Sequence, residues 1–268
     1  MLGPRLAPHG LNRTAGQWWL LLLVLLAARG ASAQIVNVQA LFEESVPEGP
    51  SAGVELSVDW RTGSTNLLVA RGMLLGQWRS EKHWVLGVAR GEYGFAGDKR
   101  IVSKTLEHLR YRYRFLEWLS AEVFLQHEYD EFRRLQLRAL LGTGPRFTMW
   151  SSEGGNLVAG VAGMLEHERL RRDDVPDAGD RATNVRLSSY LLGRLKLMEN
   201  ISLVETVYLQ PRVDRPSDLR LLNETLLAVD ANKRVVFTVG FTLTYDRTPA
   251  ATVSPVDTQL RTSLGVKL

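Results

Sequence analysis

Beyond residue 50 the chain repeats one pattern, apolar and polar residues alternating with a period of two in segments of about ten or more residues, separated by polar turns. Successive side chains of an extended strand point to opposite faces, so this alternation predicts strands with one apolar and one polar face. Near the C-terminus Thr258, Leu260, Thr262, Leu264, Val266 and Leu268 share one face, and Gln259, Arg261, Ser263 and Lys267 the other. Phe237, Val239, Phe241, Leu243 and Tyr245 oppose Thr238, Thr242 and Thr244 in the same way. Twelve strands are predicted, near 52–61, 64–76, 82–95, 102–114, 117–130, 133–148, 154–169, 182–198, 200–212, 217–230, 233–246 and 257–268. The second, third, ninth and tenth carry apolar residues at both parities, which implies either bulges that shift the register or an apolar layer on the second face.

An even number of strands closes into an antiparallel barrel with both ends on one side. The predicted connections alternate in length: the second, fourth, sixth, eighth and tenth are short, while the odd ones include Ala96 to Ile101, Arg171 to Arg181 and Arg247 to Val256. Short turns at one end and longer loops at the other fit a closed transmembrane β-barrel of about twelve strands. Aromatic residues belong at the two membrane interfaces of such a barrel. Trp78, Trp84, Trp118 and Trp150 flank the short turns, and Tyr93, Phe95, Tyr129, Phe132, Tyr208 and Tyr245 lie near the opposite ends. The competing reading is an ordinary soluble β-protein.

Residues 1–33 read as a targeting segment: Arg5 and Arg13 precede the apolar run Trp18 to Ala28, and Ala31-Ser32-Ala33 is an A-x-A cleavage site. The expected mature chain starts at Gln34, with 34–51 as a periplasmic extension and 52–268 as the barrel. Loss of Arg5, Arg13 and Arg29 takes the formal net charge from +4 to +1, which removes the electrostatic case for nucleic acid as a partner. The longest later apolar run, Leu157 to Leu165, is too short for a spanning helix. The chain has no cysteine, which excludes disulfides and thiolate metal sites.

The polar faces carry the candidate chemistry. His108, Arg110, Arg112 and Arg114 alternate along one segment, and Glu122, Gln126, Glu128 and Asp130 along the next, with Arg138, Arg146, Arg194, Lys196, Arg261 and Lys267 facing the same way. In a barrel these residues line the lumen, where they either pair and fill it or edge a narrow pore whose basic excess favours anions. On a simple hairpin only Arg110, Arg112 and Arg114 reach Glu122. His127 and His167 lie near the ends where a barrel hydrolase would work, but no serine is close in sequence and no catalytic assignment follows. In Glu166-His167-Glu168 the carboxylates point away from the imidazole, which rules out a shared metal ion. Arg171 to Arg181, with Asp173, Asp174, Asp177 and Asp180, lacks the spacing of a calcium loop and reads as a solvated loop. No cofactor is expected.

The chain also resembles a known family, the outer-membrane barrels grouped as domain-of-unknown-function family 481, whose members are described as salt-induced outer-membrane proteins. The resemblance covers Gly53 to Leu268. It rests on Asp59-Trp60-Arg61-Thr62-Gly63-Ser64-Thr65-Asn66, Tyr111-Arg112-Tyr113, Glu128-Tyr129-Asp130-Glu131-Phe132-Arg133, Gly142-Thr143-Gly144, Asp257-Thr258 and Leu264-Gly265-Val266-Lys267-Leu268. Ser64 stands where the family often has Asn, and Leu268 where such barrels usually end in an aromatic residue. The resemblance implies an outer-membrane barrel of uncharacterised role, linked at most to osmotic stress. The partners expected are outer-membrane lipids, with periplasmic chaperones and the barrel-assembly machinery during biogenesis. Three readings remain: a non-enzymatic structural or envelope-stress barrel with a charge-filled lumen, a narrow passive pore, and a lipid hydrolase.

Overall fold

A computed structural model describes residues 48–64, 66–232 and 235–266. The targeting segment and most of the N-terminal extension lie outside the described residues, as do Lys267 and Leu268. The alternation produces twelve strands: β1 (Gly49–Arg61), β2 (Leu67–Arg79), β3 (His83–Ala96), β4 (Lys99–Leu116), β5 (Leu119–Asp130), β6 (Leu135–Ser152), β7 (Gly155–Leu170), β8 (Arg181–Met198), β9 (Ile201–Pro211), β10 (Leu219–Asp230), β11 (Val235–Asp246) and β12 (Val256–Val266). They form one antiparallel sheet in chain order, each strand hydrogen-bonded to its sequence neighbours. β1 begins at Gly49, three residues ahead of the expected start.

Six connections gather at one end of the sheet, called here the loop end: 62–66, 97–98, 131–134, 171–180, 212–218 and 247–255. The connections at the other end, the turn end, run from two to four residues. One expectation is corrected: instead of a long loop from Ala96 to Ile101, β3 and β4 run on to a two-residue turn, Gly97-Asp98. Gly97 has φ +59°, the left-handed conformation a tight hairpin requires and a glycine adopts without strain.

The sheet curls so that strands three apart touch through their inner faces. Tyr190 on β8 donates its hydroxyl to Glu122 on β5 at 2.9 Å, and Arg220 on β10 reaches Glu166 and Glu168 on β7. Arg90 on β3 lies within the fields of Glu224 on β10 and Arg261 on β12. Among the described residues β1 and β12 do not pair with each other.

The mixed parity of four strands has its explanation in an apolar inner layer. β2–β3 and β9–β10 pair without a register shift. Their second-face apolar residues instead pack inside: Trp84, Leu86 and Val88 against Met73 and Leu75, and Tyr208 and Leu222 against Val158 and Tyr190. Two aromatic placements are therefore corrected. Trp78, Trp118 and Trp150 are exposed beside the short turns, but Trp84 turns inward, donates Nε1–H to Gln77 at 3.0 Å, and carries Arg79 and Arg112 over its ring. Tyr208 is also interior, at 3% exposure, rather than part of a girdle.

Candidate functional site: the charged interior and the outer wall

The molecule's polarity is inverted. Its most deeply buried large side chains include Arg138, Arg186 and Glu166, while Leu109, Leu125, Leu141, Leu165, Val185 and Phe241 are all at least 40% exposed. Charged groups are seldom fully buried unless paired, and soluble monomers rarely expose apolar residues over contiguous strands.

Two ion networks lie on the inner face. In the one nearer the turn end, Glu122 sits between Arg110 at 2.8 Å and Arg112 at 2.8 Å and accepts the Tyr190 hydroxyl. Register places Arg112 opposite Glu122 and Arg110 two residues further along, opposite Phe124, so both guanidiniums converge on one carboxylate. Phe124 lies under Arg110 at 4.8 Å and stacks on His108, whose Nδ1 meets Gln126. The large rings fit because the facing positions are glycines: a Cβ on Gly142 would lie 2.2 Å from the Phe124 ring, and one on Gly160 2.2 Å from Tyr190.

The second network lies toward the loop end. Glu166 accepts from Arg138, Arg186 and Arg220, at 2.8, 2.6 and 2.5 Å. Arg138 also reaches Glu128 at 3.3 Å and Glu168 at 3.3 Å, Arg186 reaches Asp218 at 2.9 Å, and Arg220 reaches Asp246 at 2.9 Å. Arg133 joins Glu128, and its backbone N–H is capped by Asp130. Several charge-assisted bonds converge on each buried ion, which is the condition under which desolvated charges are tolerated.

Of the residues singled out from sequence, Arg110, Arg112, Glu122, Glu128, Asp130 and Arg138 are buried in these networks, and Arg194 is half-buried on the same face. Arg114 and Arg261 stand outside the two networks and are exposed. Arg114 lies at the turn-end rim, where it donates to the Glu81 carbonyl, and Arg261 lies on β12, at the edge of the sheet. Sequence reading passed over Glu166, Arg186, Asp218, Arg220 and Asp246. Their inward parity was available, since Glu166 and Glu168 alternate with the outward His167, but their partners come from strands distant in sequence.

The outer wall holds polar residues too. Cross-strand pairing sets Glu107, His127, Ala139, His167 and Thr183 in one row across β4 to β8. His127 Nδ1 bonds Glu107 at 2.5 Å, and His167 Nδ1 bonds the Thr183 hydroxyl at 2.8 Å. Among the described residues no group of three or more His, Asp or Glu could hold a metal ion. At the loop end, Arg134 bridges Asp173 and Asp177 of the β7–β8 loop and the Ala251 carbonyl of the β11–β12 loop, while Asp177 accepts the Ala251 N–H at 2.6 Å. Partial burial raises the Asp177 pKa, but the Ala251 and Arg134 hydrogen bonds outweigh it and hold the carboxyl below its ordinary value of 3.8.

No curated protein matches the sequence. Among solved structures, the NanC porin in a rhombohedral crystal form is similar at 10% identity and a TM-score of 0.49, covering 82% of this chain and 99% of that one. A bacterial polysaccharide outer membrane secretin is similar at 11% identity and a TM-score of 0.38, covering 83% and 92%. The protein-of-unknown-function family DUF481 matches residues 54–268, every strand from within β1 to the last, and the chain belongs to that family.

Proposed function

We propose that β1 and β12 close the sheet into an outer-membrane barrel whose lumen is filled by its own ion pairs, and that the protein serves the envelope structurally or under osmotic stress without catalysing a reaction. The inverted polarity carries this reading: an apolar outer face suits lipid, and a paired, charged inner face suits a lumen closed to bulk water. β1 and β12 run antiparallel to one another in this topology, as closure requires. The loop end then faces the exterior and the turn end the periplasm, with outer-membrane lipids around the wall, and assembly depends on periplasmic chaperones and the barrel-assembly machinery.

The test is planar-bilayer recording on refolded protein whose insertion is checked by protease protection and by a gel mobility that changes on boiling. Verified insertion without conductance supports the filled lumen. Discrete steps favour a narrow pore, a second reading that rests on Arg90 and Arg261, inner-face cations outside both networks. Recovery as a soluble protein with no mobility shift overturns the membrane reading. Lipid hydrolysis that disappears in His127→Ala and His167→Ala variants would overturn the non-enzymatic part.

A further inference from the structure

At the loop end of the outer wall, above the row of His127 and His167, a cavity of about 360 Å³ is lined by Tyr129, Gln136, Arg169, Arg171 and Arg172. Tyr129 and Arg169 are the next same-face residues after the two histidines on β5 and β7. Gln136 is exposed because a bulge in β6 skips it: Leu135 pairs Leu170 and Leu137 pairs Arg169, which leaves Gln136 unpaired. Arg172 lays its stem across Gly179, at φ +73°, where a Cβ would crowd it.

The charge balance here differs from that of the interior. Arg171 is held by Glu131 at 2.9 Å and lies 3.8 Å from Asp173, but Arg169 and Arg172 have no carboxylate partner among the described residues. The Arg169 Nε is buried, with no hydrogen-bond partner among the described residues. Two guanidiniums without a carboxylate, those of Arg169 and Arg172, face one concavity beside the paired Arg171, with the Tyr129 hydroxyl and the Gln136 amide as further donors. That is the complement of a phosphate, whose oxygens accept several bonds from planar guanidinium forks.

We propose that this cavity binds the phosphorylated headgroup of an outer-leaflet lipid. The position argues for a lipid over a free anion, because the cavity opens on the outward face and below it, past the row of His127 and His167, lie the exposed apolar residues Leu141, Leu165 and Val185, where acyl chains would run. The inference rests on the membrane reading above.

The test reconstitutes the full chain in phosphatidylcholine nanodiscs containing a minor fraction of phosphatidic acid and counts retained anionic lipid by native mass spectrometry. Wild type is expected to retain phosphatidic acid, and Arg169→Gln, Arg171→Gln and Arg172→Gln together to lower retention by about tenfold or more. Lys99→Gln with Arg61→Gln, which neutralises two exposed loop-end cations outside the cavity, is expected to leave it unchanged. Equal retention by the triple variant overturns the proposal. So does displacement of the lipid by millimolar inorganic phosphate, which would make this a free-anion site. The boiling-dependent gel shift is recorded on every sample: a wild type that lacks it defeats the membrane reading, whereas a shifted wild type that retains no phosphatidic acid defeats this inference alone.

Discussion

The inner faces of β4 to β10 and those of β1 and β12 obey the same alternation and end in opposite environments. Along β4 to β10 nearly every inward ion finds a partner across the curled sheet, and Arg138 and Glu166 lose all exposure. From Pro50 onward β1 is exposed on both faces, and its Asp59 pairs with the half-exposed Arg71 next door. The period of two sets which face a residue takes, but burial needs a second wall. Where strands three apart meet, charge becomes a packing material; where a strand has one neighbour, the same residue types stay solvated.

The largest expected break in that contrast is Glu166→Ala. It strands Arg138, Arg186 and Arg220 without their shared carboxylate, and removing one partner of a buried network costs about 3–5 kcal/mol. The check is the urea midpoint of the boiling-dependent gel shift, set against Asp59→Ala at the edge, where loss of a solvent-screened pair is expected to move the midpoint little. Next comes Gly160→Ala, whose methyl meets the Tyr190 ring and is expected to cost about 1–3 kcal/mol by the same measurement. Gly163→Ala, on the same strand with open space at its Cβ position, is the control and is expected to change little.

Closure sharpens the comparison directly. With no native cysteine, Ser57→Cys can be scanned against Gln259→Cys and Arg261→Cys. One combination is expected to form a disulfide in the folded protein, since a bond requires Cα atoms within about 7 Å. Cross-linking by none would leave the edges apart. The smallest effect concerns the loops: because the Asp177 pKa is depressed, its contribution is present at neutral pH and fades as pH falls through the folded value, below 3.8. Proteolysis within 171–180 is expected to rise in that acidic range for wild type, and to be faster already at neutral pH for Asp177→Ala.

Element count and facing were legible in the sequence because each strand writes its own period. Glu122 with Arg110 and Arg112 was legible as well, since a short turn joins β4 to β5 and keeps them within a few residues of each other, although a bulge between Arg114 and Leu116 sets the final pairing. The Glu166 network was not, because its arginines come from β6, β8 and β10 and meet only through curvature. Trp84 misled for a related reason: an aromatic near a turn suggests an interface, and only cross-strand packing shows that Gln77 and Arg112 hold it inside.

Spacing apolar residues at every second position has a consequence for the chain before it folds. Mean hydropathy is −0.10, and averaged along the backbone the polypeptide is as wettable as a soluble one. Machinery that recognises membrane segments as they emerge responds to contiguous stretches, and after residue 33 no apolar stretch is long enough to halt passage. On the proposed membrane reading, the lipid-compatible surface does not exist until strands pair and sort their side chains, so affinity for a bilayer is acquired at the end of folding rather than carried throughout synthesis.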